Sequence, residues 1–364
     1  MSQLSNKWRT SASLILVSAV AGEDYQLLML KRSDVTSMAM NHAVFPGGML
    51  DTQGDENVAW LDYLEQFGVP QEALRSLVLI NDQRPSILAP QGTGCYDRFF
   101  KRSTIWAREI TLRLTAVREC FEEVGILLCR NREQLKELGA IVSTAQTSDG
   151  LQFDREAWQR RVHNHPADFL ELCRELQVVP DLWALHEWSA WASPAPVKKG
   201  HQTMFFMAFV DEQPRLLAEP SEVKECLWRT PLELLRLHRL GEVWLMPPQI
   251  YELTRLLGIK SYRKLFDFSA NRSRLGITLF LPVGYACSDG VLYVLPGDDA
   301  YLPEPHLATE FVSLSETTQE FIARAKYLHR YKYDGVSSWK VHFNLAPFNG
   351  HLMPRNLPAE VQKL

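Results

Sequence analysis

Apolar side chains recur at steps of four, three, four and three along Ile110, Leu114, Val117, Phe121 and Val124, which predicts a helix with one buried stripe. At about 100° per residue, Glu119, Glu122 and Glu123 fall on the opposite face. Gly125 supplies a left-handed C-terminal cap, and Ile126-Leu127-Leu128 opens a buried strand. Upstream, runs near residues 12–20 and 25–32 flank Gly22-Glu23-Asp24 and predict a strand–turn–strand hairpin. Gln202 to Val210 is continuously apolar, as in a strand buried on both faces.

The remaining elements follow from punctuation and period. Trp60 to Phe67 has a helical pattern, and Pro85 to Gly94 reads as an irregular loop. Residues 154–177 form a helical block that stops before Pro180. Trp228-Arg229-Thr230-Pro231 predicts a strand end followed by a helix with proline in its first turn. Residues 242–265 are mostly helical. Ile277–Leu281 and Val291–Leu295 read as strands of a hairpin joined through Ser288-Asp289-Gly290, and Trp339–Leu345 as one more strand. There is no internal repeat.

The helix 110–124 carries the chemistry. Three carboxylates spaced three and four apart on one helical face can share a divalent cation, and carboxylate oxygens suit Mg²⁺ or Mn²⁺. Most acidic helix faces are merely solvated, so the neighbouring residues decide.

Arg118-Glu119-Cys120-Phe121-Glu122-Glu123-Val124-Gly125-Ile126 resembles the second half of the Nudix box. Phe45-Pro46-Gly47-Gly48 matches its opening, about 70 positions before Arg118, so about 56 residues are inserted within the motif. Leu28–Ser33 and the Phe45–Gly48 segment are similar to the signature of Nudix coenzyme A diphosphatases, with departures at Ser37 (arginine in the pattern) and Asn41 (glycine). Pro180–Trp188, Trp244–Gln249 and Ser288–Asp298 resemble the peroxisomal acyl-coenzyme A diphosphatase branch, in which an interrupted box also occurs. Counted back from Arg118, the early box glutamate falls on Ile110, with Glu109 beside it.

The resemblance implies an α/β (α+β) fold, a Nudix α/β/α sandwich with a mixed sheet. A Nudix domain at 1–240, interrupted by a helical insertion at about 51–105, would carry a C-terminal extension at 241–364 packed on it. It implies hydrolysis of the diphosphate of coenzyme A or acyl-coenzyme A to 3′,5′-ADP and (acyl-)4′-phosphopantetheine. Mg²⁺ or Mn²⁺ would be held by Glu119, Glu122 and Glu123, with Arg118 orienting them. Glu119 or Glu222 would act as general base. Arg32, Phe45, Gly47 and Gly48 would bind substrate. Another nucleotide diphosphatase, for ADP-ribose or a dinucleotide, and a non-catalytic nucleotide-binding domain remain the alternatives.

Composition narrows the partners. The 364 residues are 46% hydrophobic and 23% charged, with a net charge of −4 and no basic run, so a small molecule rather than nucleic acid is expected. No apolar run is long enough to span a bilayer. Six scattered cysteines without a Cys-x-x-Cys pair fit a reducing, intracellular compartment. The C-terminal Gln362-Lys363-Leu364 shares two residues with the Ser-Lys-Leu peroxisomal address; otherwise a cytoplasmic or mitochondrial location is expected. His186 reads as a structural partner among tryptophans, Asp298-Asp299 as a surface turn, and His163 with His165 as no metal pair.

Overall fold

Strand β1 (Trp8–Ala19) is buried on both faces, and the architecture shows why. Its alternate residues point into two different cores. Leu14 and Leu16 join one cluster with Val117 and Phe121; Ile15 and Val17 join another with Leu253 and Phe266. Period-two alternation in β2 (Tyr25–Arg32) and β8 (Gly200–Val210) sorts their side chains the same way. The result is a sheet between two helical layers. Each fully buried Leu, Ile or Val contributes about 1.5–3 kcal/mol of apolar transfer.

The computed structural model describes residues 8–22, 24–33, 39–69, 71–79, 84–88, 107–136, 143–197, 200–333 and 339–362. Ser37, the loop positions 89–94, Cys95 and Lys363-Leu364 lie outside them. The main sheet has eight strands and is mixed. β1 pairs parallel with β8 and antiparallel with β2, closing the expected hairpin at Val17↔Leu27. Further along, β1 pairs instead with β4 (Gly47–Met49), in the register Ala12↔Gly48 and Ser13↔Gly47. The short β3 (Ala43–Val44) and β9 (Val223–Arg229) flank β2, and β7 (His186–Ala192) flanks β8. β5 (Cys129–Arg130) and β6 (Val179–Pro180) form a separate two-stranded ladder.

One layer contains helix Arg108–Val124, with Ala59–Phe67 from the insertion and the pair Arg155–Asn164 and Phe169–Leu176. The last pair realises the helical block 154–177, interrupted at Pro166, which cannot donate a backbone hydrogen bond. The opposite layer is built from Pro231–Arg239, Pro247–Leu256 and Tyr262–Ser273. It crosses the division expected at residue 241. Helix Pro231–Arg239 starts with a capping box in which Thr230 and Glu233 exchange hydrogen bonds.

Two expectations for the C-terminal part change. The hairpin partner of β12 (Gly290–Val294) is β11 (Val283–Cys287), not Ile277–Leu281. Leu279–Phe280 instead adds to the main sheet as β10, parallel to β7, and Pro282 separates the two strands. β11 and β12 belong to a five-stranded sheet with β13 (Val312–Ser313), β14 (His329–Tyr333) and β15 (Trp339–Phe343). Asp298 is not a surface-turn residue either. It is buried in a two-pronged ion pair with Arg330 and also accepts the His329 N–H at 2.8 Å. A turn sequence alone does not disclose an arginine 32 positions away.

Candidate active site

Helix Arg108–Val124 is buried nearly all round; only Arg108 and Glu119 of its residues are not. Its acidic face is therefore not a solvated one. Glu122 and Glu123 expose only 6% and 3% of their surface, beneath β4 and the loop that precedes β9. That loop is tied down where the Leu217 and Glu219 N–H groups donate to the Val124 and Glu123 carbonyls. Gly125 takes the expected left-handed cap, with φ 69°.

Arg118 organises the cluster. Its guanidinium donates to Glu119 Oε1 at 3.0 Å, Glu122 Oε1 at 2.6 Å and the Met49 carbonyl at 2.9 Å. Its remaining edge meets both oxygens of Asp55 at 2.8 and 2.9 Å, and Thr115 also donates to Asp55. The sequence reading missed Asp55. The signal was present: counted forward from Gly48 rather than back from Arg118, the early acidic position of the box falls next to Asp55, near the start of the insertion expected at about 51–105. Glu109 does not take that place. It joins a different buried group, accepting from Arg84 at 3.2 Å beside Glu187 and Arg113.

Gly47 and Gly48 form the roof. The Gly47 N–H donates to Glu123 Oε2 at 2.7 Å. A methyl on Gly47 would sit 2.6 Å from the Ser13 Cα, and its φ of +151° is unfavourable for other residues. A methyl on Gly48 would lie 2.5 Å from the Glu119 carboxyl carbon. The two glycines thus let a strand backbone close directly over the carboxylates.

Phe45, expected at the substrate, is instead a core residue. It is 1% exposed, packs edge-on to Phe205 at 6.4 Å and belongs to the opposite layer. Phe45 lies in the link between β3 and β4, and its side chain packs into the core on the side away from the helix that holds the glutamates. Arg32 is half-buried, and its field reaches Glu123. Glu222 lies close enough to disfavour ionisation of Glu122 and Glu123, and its carbonyl accepts the Ser33 N–H. His163 Nδ1 stands 3.9 Å from Glu122 Oε2, and Gln159, one turn earlier, donates to the Glu122 carbonyl. Both come from helix Arg155–Asn164. His186 packs between Phe209 and Phe266 and takes no part.

Desolvation dominates the electrostatics. Burial pushes Glu119 up to about 8 and Glu122 up to about 7, against the opposing pull of Arg118. Burial also raises Glu123 well above the carboxylate range, with Glu119 adding to the effect. Five carboxyl groups, with Asp55 and Glu222, thus face two guanidiniums, Arg118 and Arg32. This excess of carboxyl groups, whose ionised form a bound cation would favour, suits a divalent cation. Among the described residues, no three acidic, histidine or cysteine side chains already converge as a preformed cage. Arg118 and Gly47 engage only one oxygen on each of Glu119, Glu122 and Glu123, leaving the other outside those bonds.

A mixed sheet between two helical layers, with a diglycine strand closing over an Arg-Glu-x-x-Glu-Glu helix, defines a Nudix-type scaffold. Residues 8–256 match the family model described as the NUDT19 Nudix domain, and residues 284–344 that of the NUDT19 C-terminal domain. The chain belongs to the NUDT19 family of Nudix hydrolases. It is 31% identical over 350 residues to the Xenopus laevis protein named acyl-coenzyme A diphosphatase NUDT19, covering 93% of this chain and 88% of that one. It is 29% identical over 368 residues to the Homo sapiens protein of that name, covering 96% of each. A solved Nudix hydrolase from Alicyclobacillus acidocaldarius aligns with a TM-score of 0.47 and 18% identity, over 71% of this chain and 96% of that one. Nudix hydrolases use divalent metal ions. Among the described residues no helix is long and apolar enough to cross a membrane.

Proposed function

We propose that this chain hydrolyses the diphosphate of coenzyme A and its acyl thioesters, releasing 3′,5′-ADP and (acyl-)4′-phosphopantetheine, with Mg²⁺ or Mn²⁺ as cofactor. Relatives of about 30% identity over nearly the whole chain bear the name acyl-coenzyme A diphosphatase. The observation that carries catalysis is the buried cluster in which Arg118 touches Glu119 and Glu122 while Glu123 is held by Gly47.

In this reading Glu119, Glu122 and Glu123 hold the cation, which supplies charge neutralisation at the diphosphate and an activated water. Arg118 fixes the carboxylates through ion pairs. Glu119 or Glu222 accepts the proton of the attacking water. Arg32 approaches a phosphate oxygen with its planar fork. Gly47 and Gly48 keep the roof thin enough for the substrate to reach the carboxylates.

The test is to incubate the purified chain with free coenzyme A, acyl-coenzyme A and ADP-ribose, with Mg²⁺ or Mn²⁺, and to follow products by mass spectrometry. Cation-dependent release of 3′,5′-ADP, lost in Glu123→Gln, is the expected result. Cleavage of ADP-ribose alone, or no 3′,5′-ADP with either cation, overturns the coenzyme A reading.

A further inference from the structure

A small cavity lies where the C-terminal segment Phe348–His351 meets β7 and helices Pro247–Leu256 and Tyr262–Ser273. It measures about 10 Å³, room for one small particle, and its walls include Ser189, Arg255, Arg272, Thr278, Asn349 and His351. Three of its polar atoms lack a hydrogen-bond partner: the Nε groups of Arg255 and Arg272, and the Ser189 hydroxyl. The three residues are 3%, 2% and 1% exposed. All three residues line the same small space.

The charges around it do not balance. Arg255 leans on Glu252 at 3.2 Å, but that fully buried carboxylate also accepts the indole N–H groups of Trp188 and Trp191 at 2.9 Å each. Arg272 donates to the backbone carbonyls of Gly276 and Glu187, and no carboxylate pairs with it among the described residues. Glu187, whose field also reaches Arg272, is already gripped by Arg84 through both oxygens. His351 adds no positive charge: burial holds it well below its ordinary range, and its ring accepts the Leu352 N–H at 2.7 Å while facing the Trp188 carbonyl. Arg255 and Arg272 therefore have Glu252 beside them, and the Glu187 carboxylate that also acts on Arg272 is committed to Arg84. Desolvation and Arg255 together push Arg272 down to about 10. A buried unpaired charge is costly, and a water molecule would satisfy the donors without balancing it.

We propose that this cavity is an internal site for a monoatomic anion, chloride or another halide, held by the Nε groups of Arg255 and Arg272 and by the Ser189 hydroxyl. Its size favours a single-atom anion over an oxyanion such as phosphate. Asn349, in the left-handed region at φ 50°, closes the wall and reaches Thr278 at 3.3 Å. The anion thus ties helices Pro247–Leu256 and Tyr262–Ser273 to β7 beneath the segment Phe348–His351, far in sequence from the Nudix box.

The full-length protein provides the test. Its thermal unfolding is compared in sodium chloride, sodium bromide and sodium gluconate at matched ionic strength. A saturable rise in Tm of a few degrees with chloride and bromide, absent with gluconate, is expected. The halide-specific rise should vanish in Arg272→Met. If that variant does not fold, wild-type crystals grown in bromide decide the matter, with an anomalous peak expected between the two Nε atoms and Ser189. Equal Tm in all three salts, a halide effect that survives in Arg272→Met, or no bromide peak overturns the proposal and leaves the cavity to water.

Discussion

Asp55 grips Arg118 with both carboxylate oxygens, at 2.8 and 2.9 Å, across 63 positions of sequence that include most of the insertion. The pair is almost wholly buried. It couples the segment that follows the diglycine strand to the helix that holds the glutamates, so the split motif is rejoined by one ion pair.

Removing one partner of a buried pair strands the other charge, which typically costs on the order of 3–5 kcal/mol. Asp55→Ala is expected to destabilise the chain by that order, read as a lowered midpoint in urea. Asp55→Asn keeps one acceptor for Arg118 and is expected to lower kcat at least about tenfold, with KM little changed, because it loosens the alignment of Glu119 and Glu122. Wild-type kcat in Asp55→Asn would show that the pair holds the fold and does not set the geometry.

The two glycines of the roof should fail differently. At Gly48 the added methyl meets the end of the flexible Glu119 side chain, which can swing aside. Gly48→Ala is therefore expected to keep its Tm within a few degrees while activity collapses. At Gly47 the methyl meets backbone at a positive φ, so Gly47→Ala is expected to lose about 1–3 kcal/mol of stability as well. Circular dichroism melts alongside turnover separate the cases. Full activity in Gly48→Ala would remove Glu119 from the reaction.

Much of this is legible in the sequence. Stripe and carboxylates on helix Arg108–Val124, the hairpin β1–β2 and the buried run Gln202–Val210 all follow from period and composition, because burial repeats with the geometry of the element. What escaped depends on tertiary pairing. Asp55 lies near the start of the insertion, so counting back from Arg118 missed it. Phe45 reads as part of a binding loop, but the link between β3 and β4 packs it into the opposite core. The hairpin partner of β12 was misassigned because Leu279–Phe280 and Val283–Cys287 are both apolar and only Pro282 separates them. Asp298 found Arg330 through the packing of two strands that no local pattern announces.

The crowded carboxylates predict a stabilising cation. Adding Mg²⁺ or Mn²⁺ to the chelated protein should raise Tm in proportion to RT ln(1 + [L]/Kd), about 2.7 kcal/mol at a hundredfold excess over Kd. In Glu123→Gln the increment should shrink strongly. Without cation the variant should unfold at or above the wild-type temperature, since the substitution removes a charge from a site where burial and Glu119 already disfavour it. An identical cation increment in both proteins would move the binding site elsewhere.

Acid sensitivity should come from histidines buried without charge. His329 sits between the Tyr251 hydroxyl at 2.8 Å and the Pro296 carbonyl at 2.7 Å. The carbonyl can only accept, so Nδ1 carries the proton and Nε2 accepts from Tyr251. Burial pushes its pKa down to about 4, whereas an unfolded imidazole titrates near 6.5. Below about pH 6.5 the unfolded chain therefore binds the extra proton and the folded chain does not. The stability owed to neutral His329 is complete above about pH 6.5 and is lost as the pH falls toward 4, by about 1.4 kcal/mol per pH unit. His238, held down to about 4 by burial, and His186, held to about 3, add slopes of the same sign. Glu119, Glu122 and Glu123, raised by burial, add slopes of the opposite sign, so urea unfolding is read as a difference: between pH 6.5 and 4 the wild type should lose about 1.4 kcal/mol per pH unit more than His329→Gln, which starts from a lower value. Parallel slopes for the two proteins would mean that His329 titrates normally in the fold.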